Sequence, residues 1–495
     1  MKVLFLSTNV NTYHTNCELF PLAAGTLAAY LKQSGHECRA FTAVRTDEFP
    51  RLRQVLEEFK PDAVGYSVIT CQAPNIPLLA RIVKDWDPKV PFLCGGAHPA
   101  LAPEEVLAIP GVDIVCVGDG EVSFKEYLDG LSRGERRTDI PGFWFKQADG
   151  SIARNKARPF FQDLDSLPYP DREIVDFPAV LKSNTGVLWM LASRGCKWSC
   201  SFCSVPRLRE LAEGEYMRLR GVDHVLGEIR ACAAKYDFKT ISFRDDTFTW
   251  NKQWTLEFCS KYAKEFGRRW PLMCLTRADS LDDEIAAALA QANFQDVWLG
   301  FESGNDHIRN EVINKELKAE QFLSACDLLG RRGIRICTLN IVGSPDETPE
   351  MFQQTIAANR KVYSKYPIFA IGGGSAPKVF IYDPCPGNPL YELCRSKGWL
   401  REENRRVGFR VNMDPCVEIP TFPKERVVQE YRRFRYNVYK GHHNAIALFY
   451  LLYDSRAVEL LRAVLPTKQI YAALKLAISL VDRRQGEVNI DLSVH

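Results

Sequence analysis

Three cysteines that lie close together in the sequence are the residues best suited to chemistry in this chain. Cys196, Cys200 and Cys203 are spaced C-x3-C-x2-C, directly after the apolar run 187–191, which predicts a strand. This short spacing lets one loop direct three thiolates at a compact inorganic centre, and a four-iron cubane would keep one iron open to an outside ligand. The alternatives are a zinc knuckle and three unrelated buried thiols. A structural zinc site needs a fourth protein ligand nearby, and no Cys or His follows before His224.

The elements that must position this loop alternate between strands and helices. About six such units from residue 185 onward predict a partial (β/α)6 barrel of the TIM type, whose working face is the carboxyl end of its strands. The candidate strands are 187–192, 240–244, 271–275, 296–300, 334–342 and 368–372, with 378–382 as a further candidate. The candidate helices are 222–236, 253–266, 282–292, 319–332 and 349–363.

The first 145 residues show the same alternation in a separate block. Apolar runs at 2–7, 62–67, 91–96 and 112–118 predict buried parallel strands, and 19–34 predicts a helix that stops at Gly35. We therefore expect an α/β fold with a doubly wound, Rossmann-like sheet, which binds ligands at the carboxyl ends of its strands. Glycines follow two of these strands, although glycines at strand ends often serve turn geometry alone.

The cysteine loop, with Phe202 before its last cysteine, resembles the signature of the radical S-adenosylmethionine enzymes. The resemblance implies a [4Fe–4S] cluster held by Cys196, Cys200 and Cys203, and S-adenosylmethionine on the open iron, where its cleavage yields a 5′-deoxyadenosyl radical. It also implies an electron donor such as a flavodoxin or a ferredoxin.

Four blocks that follow the barrel strands resemble the same family: 244–249, 276–279, 300–304 and 340–347. The resemblance implies that Glu302, with Arg277 as a second candidate, contacts the polar part of S-adenosylmethionine, and that Ile341 to Gly343 lies beside the adenine. The alternative for Arg277 is an internal ion pair with Asp246. The family's Gly-Gly-Glu motif is not evident.

The strand ends of the first block resemble the cobalamin-binding domain of one large subfamily, through Gly-Gly-x-His-Pro at 95–99 and Val-Gly-Asp-Gly-Glu at 117–121. The residues this implies for cobalamin are Asn9, Ser67, Gly95, Gly96, His98, Gly118, Gly120 and Glu121. The motif Asp-x-His-x-x-Gly is missing, and His14 lacks its context. We therefore expect cobalamin without a lower histidine ligand; the alternative is a cobalamin-type fold that has lost its ligand.

These patterns predict four regions. They are a cobalamin-binding domain at 1–145, a Pro-rich linker at 146–185, the radical barrel at 186–380 and a mainly helical C-terminal cap or substrate region at 381–495. Residues 382–391 resemble the subfamily's Pro-x-Pro-Gly-Thr-Pro-Leu segment, with Asn388 in place of Thr. The later amphipathic stretches predict either a cap that packs on the barrel or a surface for a membrane or for a lipid-like or tetrapyrrole substrate.

Composition limits the partners and the location. A net charge of +3 over 495 residues argues against a nucleic-acid partner held by a basic surface. Sixteen scattered cysteines suit a reducing cytoplasm. The apolar stretch at the N-terminus is too short and too quickly followed by polar residues for a signal peptide, and the longest apolar run, 445–453, is shorter than the ~20 residues that span a bilayer. We expect no transmembrane segment, although peripheral membrane contact fits the C-terminal pattern.

The function that these residues imply is methyl transfer to an unactivated carbon. Its alternative uses the same cofactors for cyclisation or ring rearrangement without methyl transfer. A third hypothesis, outside the enzymes, is a corrinoid- or redox-sensing binding module.

Overall fold

A computed structural model of the chain describes residues 1–10, 18–368, 376–401 and 415–455. The N-terminal sheet has seven strands in the order β2-β1-β3-β4-β5-β6-β7, of which β1 to β5 are parallel and β6 and β7 antiparallel. The strands are β1 Lys2–Thr8, β2 Glu37–Ala43, β3 Ala63–Ser67, β4 Phe92–Gly95, β5 Ile114–Cys116, β6 Phe143–Lys146 and β7 Ile152–Arg154. Their helices are α1 Leu22–Lys32, α2 Arg51–Phe59, α3 Ile76–Trp86, α4 Ala97–Leu101, α5 Pro103–Ala108 and α6 Glu121–Ser132.

The doubly wound sheet is confirmed, and its central strands are the predicted apolar runs. In β1, Val3 to Leu6 are all buried, as expected where helices cover both faces of a parallel sheet. The prediction missed β2, because Glu37 and Arg39 interrupt its apolar residues, as is typical of an edge strand. The sequence indicates a hairpin-like turn at 147–150 but assigns it to the linker. In the structure this turn joins β6 and β7, and the hairpin extends the first sheet to Arg154, beyond the predicted boundary at residue 145.

The second sheet is a curled half-barrel of six strands in the order β15-β14-β13-β12-β11-β8. Its early part contains α7 Phe177–Ser183, β8 Val187–Met190, β9 Ser193–Arg194, α8 Val205–Arg209, β10 Arg218–Leu219, α9 Val222–Lys235 and β11 Thr240–Phe243, with β9 and β10 as a separate antiparallel pair. It continues with α10 Lys252–Phe266, β12 Leu272–Thr276, α11 Asp283–Gln291, β13 Phe294–Glu302, α12 Ala319–Gly330, β14 Arg335–Val342, α13 Pro349–Lys365 and β15 Lys378–Ile381.

The predicted partial barrel is confirmed. All five candidate helices form within two residues of their predicted ends. The sixth strand is β15, the further candidate at 378–382, while 369–372 of the other candidate lie outside the described residues.

The described part of the C-terminal region is mainly helical, with α14 Pro389–Ser396, α15 Lys424–Tyr439 and α16 Asn444–Tyr453. Helix α15 lies against α13, where Phe434 contacts Phe352 at a ring distance of 5.9 Å. Arg360 of α13 donates to the carbonyl of Asn437 at 2.7 Å. These contacts support the cap interpretation for α15. None of the helices in the described ranges is long and apolar enough to cross a membrane.

The chain divides into two compact units. One holds Met1–Asp246 and the described residues of Pro384–Cys416, and the other holds Thr247–Asp383 and the described residues from Val417 onward. The first unit therefore contains both the N-terminal sheet and the cysteine loop.

Candidate functional site

The cysteine loop follows β8 and β9 and is shaped by a glycine. Gly195 has φ +94°, and a Cβ at this position would lie 2.5 Å from the carbonyl oxygen of Tyr216. Only glycine allows this close approach. The backbone N–H of Cys203 donates to the carbonyl of Cys200 at 3.1 Å, so a tight turn brings the last two cysteines to one side of the loop.

The three thiols fit a cluster better than a single metal ion. Cys200 is buried, Cys196 and Cys203 are half-buried, and none of them forms a disulfide. Among the described residues, no group of three His, Cys, Asp or Glu side chains converges closely enough to hold one ion. In a cubane each thiolate binds a different iron, so the sulfurs remain apart. Burial raises the pKa of Cys203, so its thiol is protonated without metal, and it would release that proton to solvent on binding iron as a thiolate.

Asn388 and Asp245, to which the sequence analysis gave no role, support the cysteine loop. Asn388 donates from Nδ2 to the carbonyl of Phe202 at 2.9 Å, and its Oδ1 accepts the N–H of Tyr391 at 2.7 Å, which caps α14. Asn388 is fully buried. Because an amide both donates and accepts, Asn388, which stands where the subfamily has Thr, holds the cysteine loop and caps α14 at the same time.

Asp245, at the end of β11, holds the strand that leads into the cysteines. Its carboxylate accepts the N–H of Ala192 at 3.0 Å and the hydroxyl of Ser193. Burial raises the pKa of Asp245 to about 6, while these hydrogen bonds act in the opposite direction. The sequence analysis singled out the block 244–249, but it did not predict this contact with Ser193, which lies 52 residues earlier in the chain.

In the second unit, Lys315 joins the two residues predicted for S-adenosylmethionine. Its ammonium lies 2.8 Å from Oε1 of Glu302, and its carbonyl accepts from Nη2 of Arg277 at 2.6 Å. Arg277 also forms an ion pair with Asp279. Gly300 leaves room for the Glu302–Lys315 pair, because a Cβ there would lie 2.5 Å from the carboxylate.

Glu302 has an unusual backbone conformation for a residue with a side chain. Its φ is +68°, and the pairing of β13 with β14 shifts register between Gly300 and Glu302. Such a bulge turns a side chain away from the regular strand pattern, and positive φ at non-glycine residues is concentrated at functional sites.

The predicted adenine residues lie at the end of β14. Ile341 is buried, and Gly343 has φ +81° with its missing Cβ 3.1 Å from Val427 of α15. The backbone N–H of Gly343 donates to Oε2 of Glu347 at 2.7 Å, and Oε1 of Glu347 has no hydrogen-bond partner among the described residues. Burial raises the pKa of Glu347 to about 8, which favours the neutral acid. The sequence analysis included Glu347 in the block 340–347 without assigning it a role.

The predicted cobalamin residues lie at the carboxyl edge of the first sheet. The strand order reverses between β1 and β3, which is where doubly wound sheets bind ligands. Asn9 follows β1 and Ser67 ends β3 there. Ile69 lies two residues beyond Ser67 and is 47% exposed, one of three exposed large apolar side chains in the described ranges. An apolar surface at the switch point suits a flat macrocycle, and the sequence reasoning did not identify it.

Glycine at the end of β4 is required by the backbone. Gly96 has φ +92°, and a Cβ there would lie 2.8 Å from the backbone of Val68. Gly95 packs less tightly, with Cys116 3.5 Å from its missing Cβ. His98 follows in α4 and is buried, and His14 lies outside the described residues.

The loop after β5 is tied to the cysteine loop by charge. Gly118 has φ +99°, and a Cβ at Gly120 would lie 3.5 Å from the sulfur of Cys116. Glu121 is buried and forms an ion pair with Arg194 at 2.6 Å. The predicted cobalamin residue Glu121 therefore has a protein partner two residues before Cys196.

Comparison with known proteins identifies both halves of this arrangement. The model of the Radical SAM superfamily matches residues 190–358, and the model of the B12 binding domain matches residues 10–128. The chain belongs to the cobalamin-dependent radical S-adenosylmethionine enzymes. Its cofactors are a [4Fe–4S] cluster, S-adenosylmethionine and cobalamin, as the resemblance implied.

Three known proteins illustrate the similarity of this radical S-adenosylmethionine enzyme to its family. The uncharacterized methyltransferase PH0819 of Pyrococcus horikoshii is 27% identical, over 83% of this chain and 86% of its own. The anaerobic magnesium-protoporphyrin IX monomethyl ester cyclase of Rubrivivax gelatinosus is 26% identical, over 77% and 71%. The methyltransferase TsrM of Kitasatospora setae, solved with cobalamin and a [4Fe–4S] cluster, shares the fold with a TM-score of 0.63 at 18% identity, over 81% and 79%.

Proposed function

We propose that this enzyme transfers a methyl group from cobalamin to an unactivated carbon. When bound, cobalamin supplies a transferable methyl group, and S-adenosylmethionine on the cluster supplies a radical that removes hydrogen from carbon. The observation that carries the proposal is the ion pair between Glu121 and Arg194. It joins the residues that follow β5, which we assign to cobalamin, to the strand before the cysteine loop within one compact unit. An sp3 carbon needs both cofactors close to it, whereas a strong nucleophile would not need the radical.

The residue assignments belong to this proposal. Cys196, Cys200 and Cys203 hold the cluster. Glu302 and Arg277 bind the polar part of S-adenosylmethionine, with Phe202, Ile341 and Gly343 beside the same cofactor. Cobalamin lies on the edge formed by the ends of β1, β3, β4 and β5, where Ile69 adds apolar contact area. The proposed linker and barrel still end at 185 and 380, whereas the first domain extends past residue 145 to include β7, which ends at Arg154.

The partners follow from the chemistry. The cluster accepts one electron at a time, so we infer a donor of the flavodoxin or ferredoxin class. The exposed Leu451 and Leu452 of α16 support an apolar substrate, lipid-like or tetrapyrrole-like, or contact with a membrane surface. The cytoplasmic location stays a prediction.

The second candidate function is cyclisation without methyl transfer, and the similarity to the Rubrivivax cyclase supports it. The fold does not distinguish methyl transfer from cyclisation, because both functions use the same cofactors on the same two domains. The discriminating property is whether cobalamin acts as a methyl carrier.

The test uses the full chain, purified without oxygen and loaded with cobalamin. After reduction with titanium(III) citrate, S-adenosylmethionine carrying a deuterated methyl group is added, and the corrinoid and nucleoside products are measured by mass spectrometry. Methyl transfer predicts labelled methyl on the corrinoid together with S-adenosylhomocysteine.

With a metabolite extract and excess cofactor, methyl transfer also predicts equal amounts of S-adenosylhomocysteine and 5′-deoxyadenosine per labelled product. The Cys200→Ala variant should lose the 5′-deoxyadenosine. If 5′-deoxyadenosine forms with the extract while the corrinoid and all products stay unlabelled, cyclisation or rearrangement replaces this proposal.

A further inference from the structure

Four charged side chains connect the loop after β5 with the strand that leads into the cysteine loop. Arg194 lies 2.6 Å from Glu121 and 3.5 Å from Asp119. Arg218 also pairs with Asp119. We name Asp119, Glu121, Arg194 and Arg218 the bridging cluster; all four belong to the first compact unit.

The bridging cluster is balanced in charge and largely shielded from water. Glu121 and Arg218 are buried, and the side chains of Asp119 and Arg194 are 20% and 24% exposed. Two carboxylates face two guanidinium groups, so no buried charge is left uncompensated. Removal of one member therefore leaves a shielded charge without its partner, which costs more than the loss of a surface ion pair.

The backbone makes this link stiff. Arg194 and Arg218 are paired residues in the antiparallel ladder of β9 and β10. Arg218 also donates to the carbonyl of Phe161 at 3.0 Å, and the N–H of Phe161 donates to Asp119 at 2.9 Å. The loop after β5 is thus tied by hydrogen bonds and ion pairs to β9 and β10, and β9 ends one residue before Gly195.

Both ends of the link lie next to proposed cofactor contacts. Asp119 stands between Gly118 and Gly120 on the cobalamin edge, and Arg194 stands two residues before Cys196. The bridging cluster therefore joins a loop proposed for cobalamin to the strand before the proposed cluster ligands.

We propose that the bridging cluster sets the separation of cobalt from the iron–sulfur cluster, so that its residues are positioning residues for methyl transfer. This inference rests on the proposed function for its effect on catalysis, whereas the separation itself requires only that both cofactors bind. A misplacement of about 1 Å is enough to lower a rate about 100-fold, so a weakened link should separate radical formation from methyl transfer.

The test measures the cobalt-to-cluster distance by pulsed electron paramagnetic resonance in the full chain, loaded with cob(II)alamin and a reduced cluster. The variants are Arg194→Gln, Arg194→Lys and Glu121→Gln, the last being an isostere that keeps the side-chain shape. Arg209→Gln is the matched control, because Arg209 contacts the cysteine loop at Lys197 and Ser199 but not the loop after β5.

We expect Arg194→Gln and Glu121→Gln to broaden or shift the distance distribution, while Arg209→Gln keeps that of the wild type. Arg194→Lys should stay closer to the wild-type distance distribution, since a lysine at this position can still pair with one carboxylate. The double variant Arg194→Gln/Glu121→Gln should resemble the single variants, because the two side chains act as one unit.

In turnover, Arg194→Gln and Glu121→Gln should each form about tenfold less labelled methylated product per 5′-deoxyadenosine than the wild type. An unchanged distance distribution in both variants overturns the inference and leaves the proposed function intact. A wild-type chain that takes up both cofactors but never labels the corrinoid overturns the proposed function, while the distance measurement still decides the positioning role. A wild-type chain without a cobalt signal overturns both.

Discussion

At the scale of single residues, Lys315 shows how the proposed S-adenosylmethionine contacts are held before any ligand arrives. Its ammonium is buried beside Glu302, and its carbonyl holds Arg277. A buried carboxylate that loses its only described cationic partner is strongly destabilised, typically by about 3–5 kcal/mol. The pair therefore supports the arrangement of both candidates.

We predict that Lys315→Met lowers the melting temperature sharply because it leaves the Glu302 carboxylate buried without this cation. The double variant Lys315→Met/Glu302→Gln should recover most of the loss, since it removes the unpaired charge. Thermal unfolding of the three proteins provides the measurement. Lys318→Met, on the exposed surface three residues further on, is the control. Equal melting temperatures for the single variant and the wild type would contradict this view of the pair.

Glu347 should make stability depend on pH. Its folded pKa is raised to about 8 from 4.5, so the folded state binds a proton that the unfolded state releases at lower pH. A raised carboxyl pKa contributes stability that is fully present below about pH 4.5 and is lost as pH rises through 8.

We predict that the free energy of unfolding falls between pH 5.5 and 8.5 by up to about 1.4 kcal/mol per pH unit from this group alone. The Glu347→Gln variant should lose that dependence, because the amide oxygen still accepts the N–H of Gly343 and carries no charge. Melting curves across this pH range test the prediction, with Glu350→Gln on the exposed start of α13 as the control. A wild-type slope retained in Glu347→Gln would assign the effect to another group.

At the scale of elements, Asp245 fastens the end of β8 and the start of β9 to the end of β11. It accepts from the N–H of Ala192 and the hydroxyl of Ser193, both of which are buried. Without this carboxylate two buried donors lose their acceptor, at a cost of about 1–3 kcal/mol each. The base of the cysteine loop should then open more often.

We predict that Asp245→Ala releases cluster iron to a chelator several times faster than the wild type. The measurement is the absorbance of the iron–chelator complex over time, without oxygen. Asp149→Ala, in the exposed turn between β6 and β7, should release iron at the wild-type rate. Equal release from Asp245→Ala and the wild type would show that the cysteine loop does not depend on this contact.

At the scale of the whole molecule, the first sheet extends further along the chain than the predicted boundary at residue 145. Strand β6 pairs with β5, and β7 pairs with β6. Phe143 of β6 is buried and packs against Phe124 of α6. Asn155, just after β7, donates to the carbonyls of Thr138 and Phe143. A domain cut at residue 145 would remove β7 and these hydrogen bonds.

We predict that a fragment 1–160 binds cobalamin and melts at least about 4 °C above a fragment 1–145, since about 1 kcal/mol shifts the melting temperature of a domain of this size by 2–4 °C. The paired fragments are compared by thermal unfolding and by corrinoid absorbance after gel filtration. Fragments of equal stability would place the functional boundary at 145 after all.

The sequence by itself determined the local features of this protein. The C-x3-C-x2-C spacing, the apolar runs of β1, β3 and β4, and the helices α9 to α13 depend on residues close together in the chain, so their patterns can be read directly. The family, its cofactors and its two sheets follow from these features.

The tertiary structure decided which distant residues meet. The edge strand β2 and the hairpin β6–β7 are stabilised by pairing with a sheet and have weak patterns of their own. The contacts of Asp245 with Ser193, Asn388 with Phe202 and Lys315 with Glu302 join residues on separate elements. Glu121 was predicted for cobalamin and has Arg194 as its partner, because an ion pair depends on distance in space, which the spacing of residues along the chain does not determine.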